Sequence, residues 1–237
     1  MQRISIVIPV YNESATITTL VHRVMSVSLP LEKEVILIDD GSSDNTWEKI
    51  QQLQNEFPQL KLLRNGNNMG KGYCLRQALE HVSGQIFLTQ DADLEYDPRD
   101  YAQLVQPLLE DVADVVFGSR FIAGRPHRVL YFHHYLANKF LTLLTNLVTG
   151  LNLSDMETGY KVFRTDVLRS LELRENRFGI EAELTLKAAW RPNTRIYEVG
   201  IAYYGRTYDE GKKIRWHDGL YTVWVILKYL LLYLYSK

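Results

Sequence analysis

What most constrains the fold of this chain is an alternation in residues 4–95. Short β-branched runs, each ending in a polar cluster, are separated by helical patterns. Ile4-Ser5-Ile6-Val7-Ile8-Pro9-Val10-Tyr11 is apolar almost throughout and closes on a proline and a tyrosine, which reads as a buried parallel strand. Residues 15–27 place Ile17, Leu20, Val21 and Val24 on one helix face, and Ser14 stands where an N-cap belongs. The pattern then repeats. A strand over residues 34–38 ends in Asp39-Asp40-Gly41-Ser42-Ser43-Asp44 and leads into a helix over 46–57. A strand over 60–63 ends in Asn65-Gly66-Asn67-Asn68-Met69-Gly70-Lys71-Gly72 and leads into a helix over 73–82, followed by a strand over 85–89. This order predicts an α/β fold with a mostly parallel, doubly wound sheet. Ligands of such sheets sit outside the carboxyl ends of the strands, so the polar clusters are expected to converge on one crevice.

The strand over 85–89 ends abruptly in Asp91-Ala92-Asp93, with Glu95 close behind. Residues two apart at a strand end point to the same side. Two carboxylates there suit a hard divalent cation, and Mg²⁺ typically combines one or two carboxylates with substrate phosphates. A solvated acidic turn that caps the next helix is the alternative reading. Two other nucleotide motifs are excluded. No G-x-G-x-x-G follows the first strand, and Gly66 to Gly72 is one residue short of a P-loop, with Gly72 where the magnesium-binding hydroxyl belongs. That segment reads as a tight turn into a helix, and Lys71 reads as solvated sooner than as a phosphate contact.

Composition narrows the class. The 237 residues are 46% hydrophobic, which allows one large domain with a real core, and the net charge of −1 argues against a nucleic-acid partner. The single cysteine, Cys74, excludes an internal disulfide. Met1-Gln2-Arg3 leads straight into the first strand with no signal-peptide pattern, so a cytoplasmic location is expected.

Pro9-Val10-Tyr11-Asn12-Glu13, Asp39-Asp40-Gly41-Ser42 and Asp91-Ala92-Asp93, in this order and spacing, resemble the nucleotide-sugar half of family 2 glycosyltransferases, which have the GT-A fold. The resemblance covers roughly residues 3–215. Within the family it is to the dolichyl-phosphate mannosyltransferases and their bacterial polyprenyl-phosphate relatives. It implies that Tyr11 stacks on the donor base and Asp40 accepts hydrogen bonds from it, while Pro9, Glu13 and Ile38 complete the base and ribose pocket. It implies that Asp91, Ala92 and Asp93 hold the ribose and a Mg²⁺ or Mn²⁺ diphosphate, with Glu95 a further metal ligand. The mannosyltransferases often carry Gln or Ser at that last position. Arg120, in Gly118-Ser119-Arg120 at the end of a strand over 113–120, is implied to contact phosphate or sugar, as its bidentate fork allows. Arg206 and Lys212, six apart in a loop with glycines at 205 and 211, are implied to bind the diphosphate. The Glu-Asp pair of hydroxyl-directed family members is absent, so Asp155 is the expected acceptor-side residue and Glu157 the second candidate. A phosphate acceptor is already anionic and needs no strong base.

Residues 115–154 contain no Asp or Glu but hold Arg120, Arg125, Arg128, Lys139, His127, His133 and His134. Their second part, residues 129–151, is apolar and aromatic. A basic, greasy, acid-free segment suits a lipid phosphate at a membrane surface, and a core helix with a basic flank reads almost equally well. Adjacent histidines on a helix are expected to point apart, which argues against a metal at His133 and His134. Glu181 and Glu183 open a further helix, as substrate contacts or as acids favouring the helix dipole. A strand is expected over 195–201. Residues 220–235 are apolar on nearly all sides but fall short of the roughly 20 needed to span a bilayer. They are expected to lie on a membrane or pack in a homo-oligomer. The sequence thus divides into a glycosyltransferase domain, 1–215, and an apolar C-terminal helix, 216–237. The expected reaction is inverting transfer of a hexose from a nucleotide-diphosphate sugar, GDP-mannose or a UDP-sugar, to a polyprenyl phosphate. A sugar or protein hydroxyl acceptor, or donor binding without catalysis, are the alternatives.

Overall fold

The computed structural model describes residues 2–129, 131–207, 209–211 and 216–235. Four strands carry the first half: β1 (Arg3–Val10), β2 (Glu32–Asp39), β3 (Lys61–Arg64) and β4 (Ile86–Thr89). Between them run α1 (Ile17–Ser26), α2 (Thr46–Glu56) and α3 (Lys71–His81). A 3₁₀ turn at Pro98–Asp100 leads into α4 (Tyr101–Leu109), then β5 (Val115–Ser119) and the long α5 (Phe132–Thr149). The chain closes with β6 (Lys161–Arg164), α6 (Thr165–Ser170), α7 (Ile180–Trp190), β7 (Ile196–Gly200) and α8 (Trp216–Tyr235).

The seven strands form one sheet in the order β3-β2-β1-β4-β6-β5-β7. Each neighbouring pair is parallel except those of β6, which runs against both β4 and β5. The parallel majority agrees with the alternation in sequence. The reversed β6 was not expected: Lys161-Val162-Phe163-Arg164 is short, flanked by charges and has no strand alternation to announce it.

Alternation along the strands splits the core in two. Ile4, Ile6, Ile8 and Val10 of β1 face α1, α2 and α4, packing with Leu20, Leu53 and Leu104. Val7, Ile36, Ile38, Phe87 and Phe117 face the other way, onto Cys74 and Leu75 of α3 and Leu184 of α7. A third cluster joins Leu141 of α5, Leu186 of α7 and Val225, Ile226 and Tyr229 of α8, so α8 packs on the rest of the chain as part of a shared core. Element bounds move by at most four residues from expectation. The α1 helix starts with Thr16 at its N-cap in place of Ser14, because the backbone amides of Thr16 and Ile17 already turn onto the Glu13 carbonyl. Among the described residues no helix is long and apolar enough to cross a membrane.

Candidate active site

The carboxyl ends of β1, β2, β4 and β5 open on one edge of the sheet, and β6 begins there because it runs the other way. Above this edge lies a cavity of about 1290 Å³. Pro9, Tyr11, Glu13, Asp40, Asp91, Ala92, Asp93, Glu95, Arg120 and Arg206 all line it, as expected of a crevice at the strand ends. Among the described residues, Ile38 and Asp155 do not. The Ile38 side chain is fully buried in the core on the α3 side of the sheet, since its strand position points it away from the cavity. Lys212 lies outside the described residues.

The donor-side turns are stitched together. Asn12 adopts a left-handed φ of 49°, its amide donates to Ser42 Oγ at 3.0 Å, and its side-chain oxygen accepts from the Ser43 amide at 2.8 Å. The amide of Glu13 donates to Thr46 Oγ1 at 3.0 Å. Asp40 is buried, and both its oxygens are occupied: Oδ1 accepts from Asn65 Nδ2 (2.8 Å) and the Met69 amide (2.9 Å), and Oδ2 from the Gly70 amide (2.7 Å). Asp40 therefore pins the 65–70 turn, a task the sequence reading did not give it. Gly70 has φ of +99°, and a Cβ there would stand 2.5 Å from the Asn176 carbonyl oxygen, so only glycine suits the turn.

That turn delivers Lys71. Its ammonium is 2.6 Å from Asp91 Oδ1 and 2.7 Å from Glu181 Oε1, and its side chain is only 12% exposed. Burial disfavours its charge, but Asp91 and Glu181 more than offset this and raise its pKa. The expectation of a solvated Lys71 is thus corrected: it is a partly buried cation at the carboxylate cluster. Glu181 also meets Lys161 at 3.0 Å, a lysine with no exposed side-chain surface whose Nζ donates to the carbonyls of Met156 and Thr158. Glu181 is therefore part of the site, whereas Glu183 is fully buried away from it, bonded to Lys187, Tyr229 and the amides of Arg174 and Glu175. The Gly-Lys-Gly at a helix start was the sequence signal for Lys71; Lys161 had none.

Asp91 and Asp93 both line the cavity just past the end of β4. Burial, together with the charges of Asp91 and Glu95, pushes the Asp93 carboxyl up to about 7. Such crowding is what a cation relieves, and two oxygen-donor carboxylates facing an open cavity fit Mg²⁺ or Mn²⁺ completed by diphosphate oxygens. The expected three-carboxylate set is not formed. Among the described residues no group of three or more acidic, histidine or cysteine side chains is arranged to hold a metal. Glu95 is otherwise engaged: Oε1 accepts from the Arg206 amide at 2.6 Å and Oε2 from the Tyr203 hydroxyl at 2.9 Å. Arg206 in turn reaches over the strand end, donating from Nε to the Asp93 carbonyl and from Nη2 to Glu13 Oε2, both at 2.9 Å.

On the far side Arg120 lines the cavity as expected, but Asp155 does not. Asp155 is fully buried beneath Arg120, accepting from its amide (3.0 Å), Nε (2.7 Å) and Nη2 (2.7 Å), and from Asn138 Nδ2 (3.0 Å). Burial would raise its pKa; the Arg120 charge and hydrogen bonds override this and hold it below the usual aspartate range. The acceptor-side expectation for Asp155 is corrected accordingly, since a carboxylate so enclosed holds the arginine and meets no acceptor. Glu157 does line the cavity, and burial beside Glu181 pushes it up to about 7. Tyr131, Phe132, Tyr135 and Phe178 give the cavity an aromatic flank continuous with α5. The rings of His133 and His134 lie edge to face with centroids 4.5 Å apart, so they do not point apart as expected.

Comparison with known proteins bears on this geometry. The fold matches crystal structures of glucosyl-3-phosphoglycerate synthase from Mycobacterium tuberculosis. The one in complex with Mn²⁺, UDP and phosphoglyceric acid superposes with a TM-score of 0.75 at 22% identity, over 97% of this chain and 78% of that one. The sequence is 26% identical over 215 residues to the dolichol-phosphate mannosyltransferase of Pyrococcus furiosus, covering 90% of this chain and 60% of that protein. It is 28% identical to the undecaprenyl-phosphate mannosyltransferase of Micrococcus luteus, covering 89% and 87%, and 27% identical to the dodecaprenyl-phosphate galacturonate synthase of Rhizobium johnstonii, covering 88% and 61%. The chain therefore spans about three fifths of the length of two of these three relatives. Residues 5–172, well over half the chain, match the profile "Glycosyl transferase family 2", and the chain belongs to that family.

Proposed function

We propose that the chain transfers a hexose, with inversion, from a nucleotide-diphosphate sugar to a polyprenyl phosphate. The observation that carries the reading is one cavity with two chemistries. Paired carboxylates, Lys71 and Arg206 sit at the strand ends, and an aromatic flank leads away from them along α5. Tyr11 and the turn pinned by Asp40 hold the nucleoside. Asp91 and Asp93 would hold Mg²⁺ or Mn²⁺, which when bound would supply positive charge to the leaving diphosphate. Arg206 and Lys212 bind the same diphosphate, and fixed positive charge there stabilises the charge that develops. Arg120, held rigid by Asp155, faces the acceptor phosphate. No strong base is needed for an anionic acceptor. The three relatives named above carry prenyl phosphates in their names, which favours this acceptor class.

The acceptor is a lipid, and the surface suits one. Phe132, Leu136, Phe140, Leu143 and Leu147 of α5 are exposed, as are Leu220, Trp224, Leu231 and Leu234 of α8, which packs beside it. This apolar face, whose α5 half lies within the acid-free segment 115–154, rests on a membrane at its cytoplasmic side. Vesicles containing undecaprenyl phosphate, a panel of radiolabelled UDP- and GDP-sugars, and Mn²⁺ test the reading. Label is expected in the lipid fraction with one donor and absent with Asp93→Asn. Transfer only to sugar or protein hydroxyls would refute the acceptor and point to Glu157 as the base. Donor binding without transfer to any acceptor would refute catalysis.

A further inference from the structure

We infer that Glu95 is a positioning residue that fastens the 203–206 segment, and with it the Arg206 guanidinium, against the Asp91–Asp93 strand end. The inference rests on the donor role given to Arg206 above. Residues 95–96 and 203–204 run side by side as a short antiparallel ribbon: Tyr96 bridges Tyr203, and the Tyr204 amide donates to the Glu95 carbonyl at 2.8 Å. The Glu95 side chain then closes the ribbon from within, one oxygen on the Arg206 amide and the other on the Tyr203 hydroxyl. A carboxylate accepting from an amide and a hydroxyl makes charge-assisted bonds, stronger than neutral ones. Turning Glu95 onto a cation would break both bonds and let go of the segment that carries Arg206. The Arg206 side chain needs that hold. Its contacts to the Asp93 carbonyl and to Glu13 are on separate strand-end loops, and it bridges them only while its backbone is kept close. The carboxylate that the D-x-D-x-E spacing offers as a third ligand is thus spent on the loop, which leaves Asp91 and Asp93 as the pair that would hold a metal.

The test uses Glu95→Ala and Tyr203→Phe, the second of which leaves the carboxylate in place. Tryptic cleavage after Arg206, read by mass spectrometry, is expected to speed up by about tenfold in Glu95→Ala, the worth of one charge-assisted hydrogen bond, and by less in Tyr203→Phe. Mn²⁺ affinity in the presence of UDP or GDP, read by electron paramagnetic resonance, is expected to stay within about threefold of wild type in Tyr203→Phe. Once the donor is known, Glu95→Ala and Arg206→Ala are expected to be non-additive in kcat/KM, because one acts through the other. Glu95→Gln, which keeps one acceptor, is expected to recover part of the loss. Unchanged cleavage after Arg206 together with a Mn²⁺ affinity lost as fully as in Asp93→Ala would overturn the inference and make Glu95 a ligand. Cleavage and Mn²⁺ binding are read without any transfer assay, so failure of the transfer reading leaves the inference testable on its own.

Discussion

The Arg120–Asp155 pair gives the sharpest test of structure against sequence. Read from sequence, Asp155 stands beside the acceptor, so Asp155→Asn is expected to lower activity and leave stability alone. Read from the structure, it is a buried counter-ion with four hydrogen bonds, three of them from Arg120. The asparagine keeps the shape but leaves a guanidinium, whose side chain is 16% exposed, without its opposite charge. Breaking a buried pair from one side costs about 3–5 kcal/mol. For a chain of this size each kcal/mol moves Tm by about 2–4 °C, so the expected drop is roughly 6–20 °C. Thermal and urea unfolding followed by circular dichroism at pH 7.5 measure it. The folded pKa of Asp155 is depressed, so its contribution is present above the ordinary aspartate pKa and lost as pH falls through the folded value. The difference between variant and wild type is therefore expected to shrink below about pH 3.9. The double variant Arg120→Met/Asp155→Leu replaces the pair with apolar groups and is expected to recover most of the stability while losing the anion contact. An Asp155→Asn protein that melts within about 2 °C of wild type, near 1 kcal/mol, and yet has lost transfer would refute the buried counter-ion argument.

Four other outcomes are expected. The Asp93 pKa is raised to about 7, so the stability tied to its protonation is present at low pH and lost as pH rises through 7. Asp93→Asn is therefore expected to melt higher than wild type at pH 8, by roughly 1–3 kcal/mol, to show little gain at pH 4, and to abolish transfer. Metal must displace the same proton, so Mn²⁺–nucleotide affinity is expected to weaken as pH falls below about 7, which isothermal titration across pH 5.5–8.5 would read. A Cβ on Gly159 would stand 2.1 Å from Asp91 Oδ2, so Gly159→Ala is expected to displace that carboxylate and weaken Mn²⁺–nucleotide binding by tenfold or more, in the same titration. Leu147 is 74% exposed and Trp224 58% exposed, so Leu147→Asp/Trp224→Glu is expected to change stability by less than about 1 kcal/mol. The same variant is expected to abolish sedimentation with anionic vesicles.

The sequence by itself determined the part of this protein that is written in local periodicity. Apolar runs such as Ile4-Ser5-Ile6-Val7-Ile8 bury both faces of a strand, helical stripes such as Ile17, Leu20, Val21 and Val24 cover them, and the alternation forces parallel connections. Because ligands of such sheets gather at strand carboxyl ends, the polar clusters at Tyr11, Asp40 and Asp91–Asp93 could be brought to one crevice before any coordinates. What only the tertiary structure decided is which charges face each other. Strand alternation turned Ile38 into the core, and the reversed β6 set Lys161 and Glu157 beside the carboxylates. Lys71 could be placed on Asp91 and Glu181 only once α3 and α7 had packed on the same face of the sheet. Asp155 became a counter-ion because Arg120, 35 residues away in sequence, folds onto it. Glu95 became a loop clasp because Arg206 arrives from 111 residues away. Local pattern fixes how a segment buries its apolar face, since that depends on its own spacing. The task of a carboxylate depends on the nearest cation or donor, and in this fold that partner comes from a distant element.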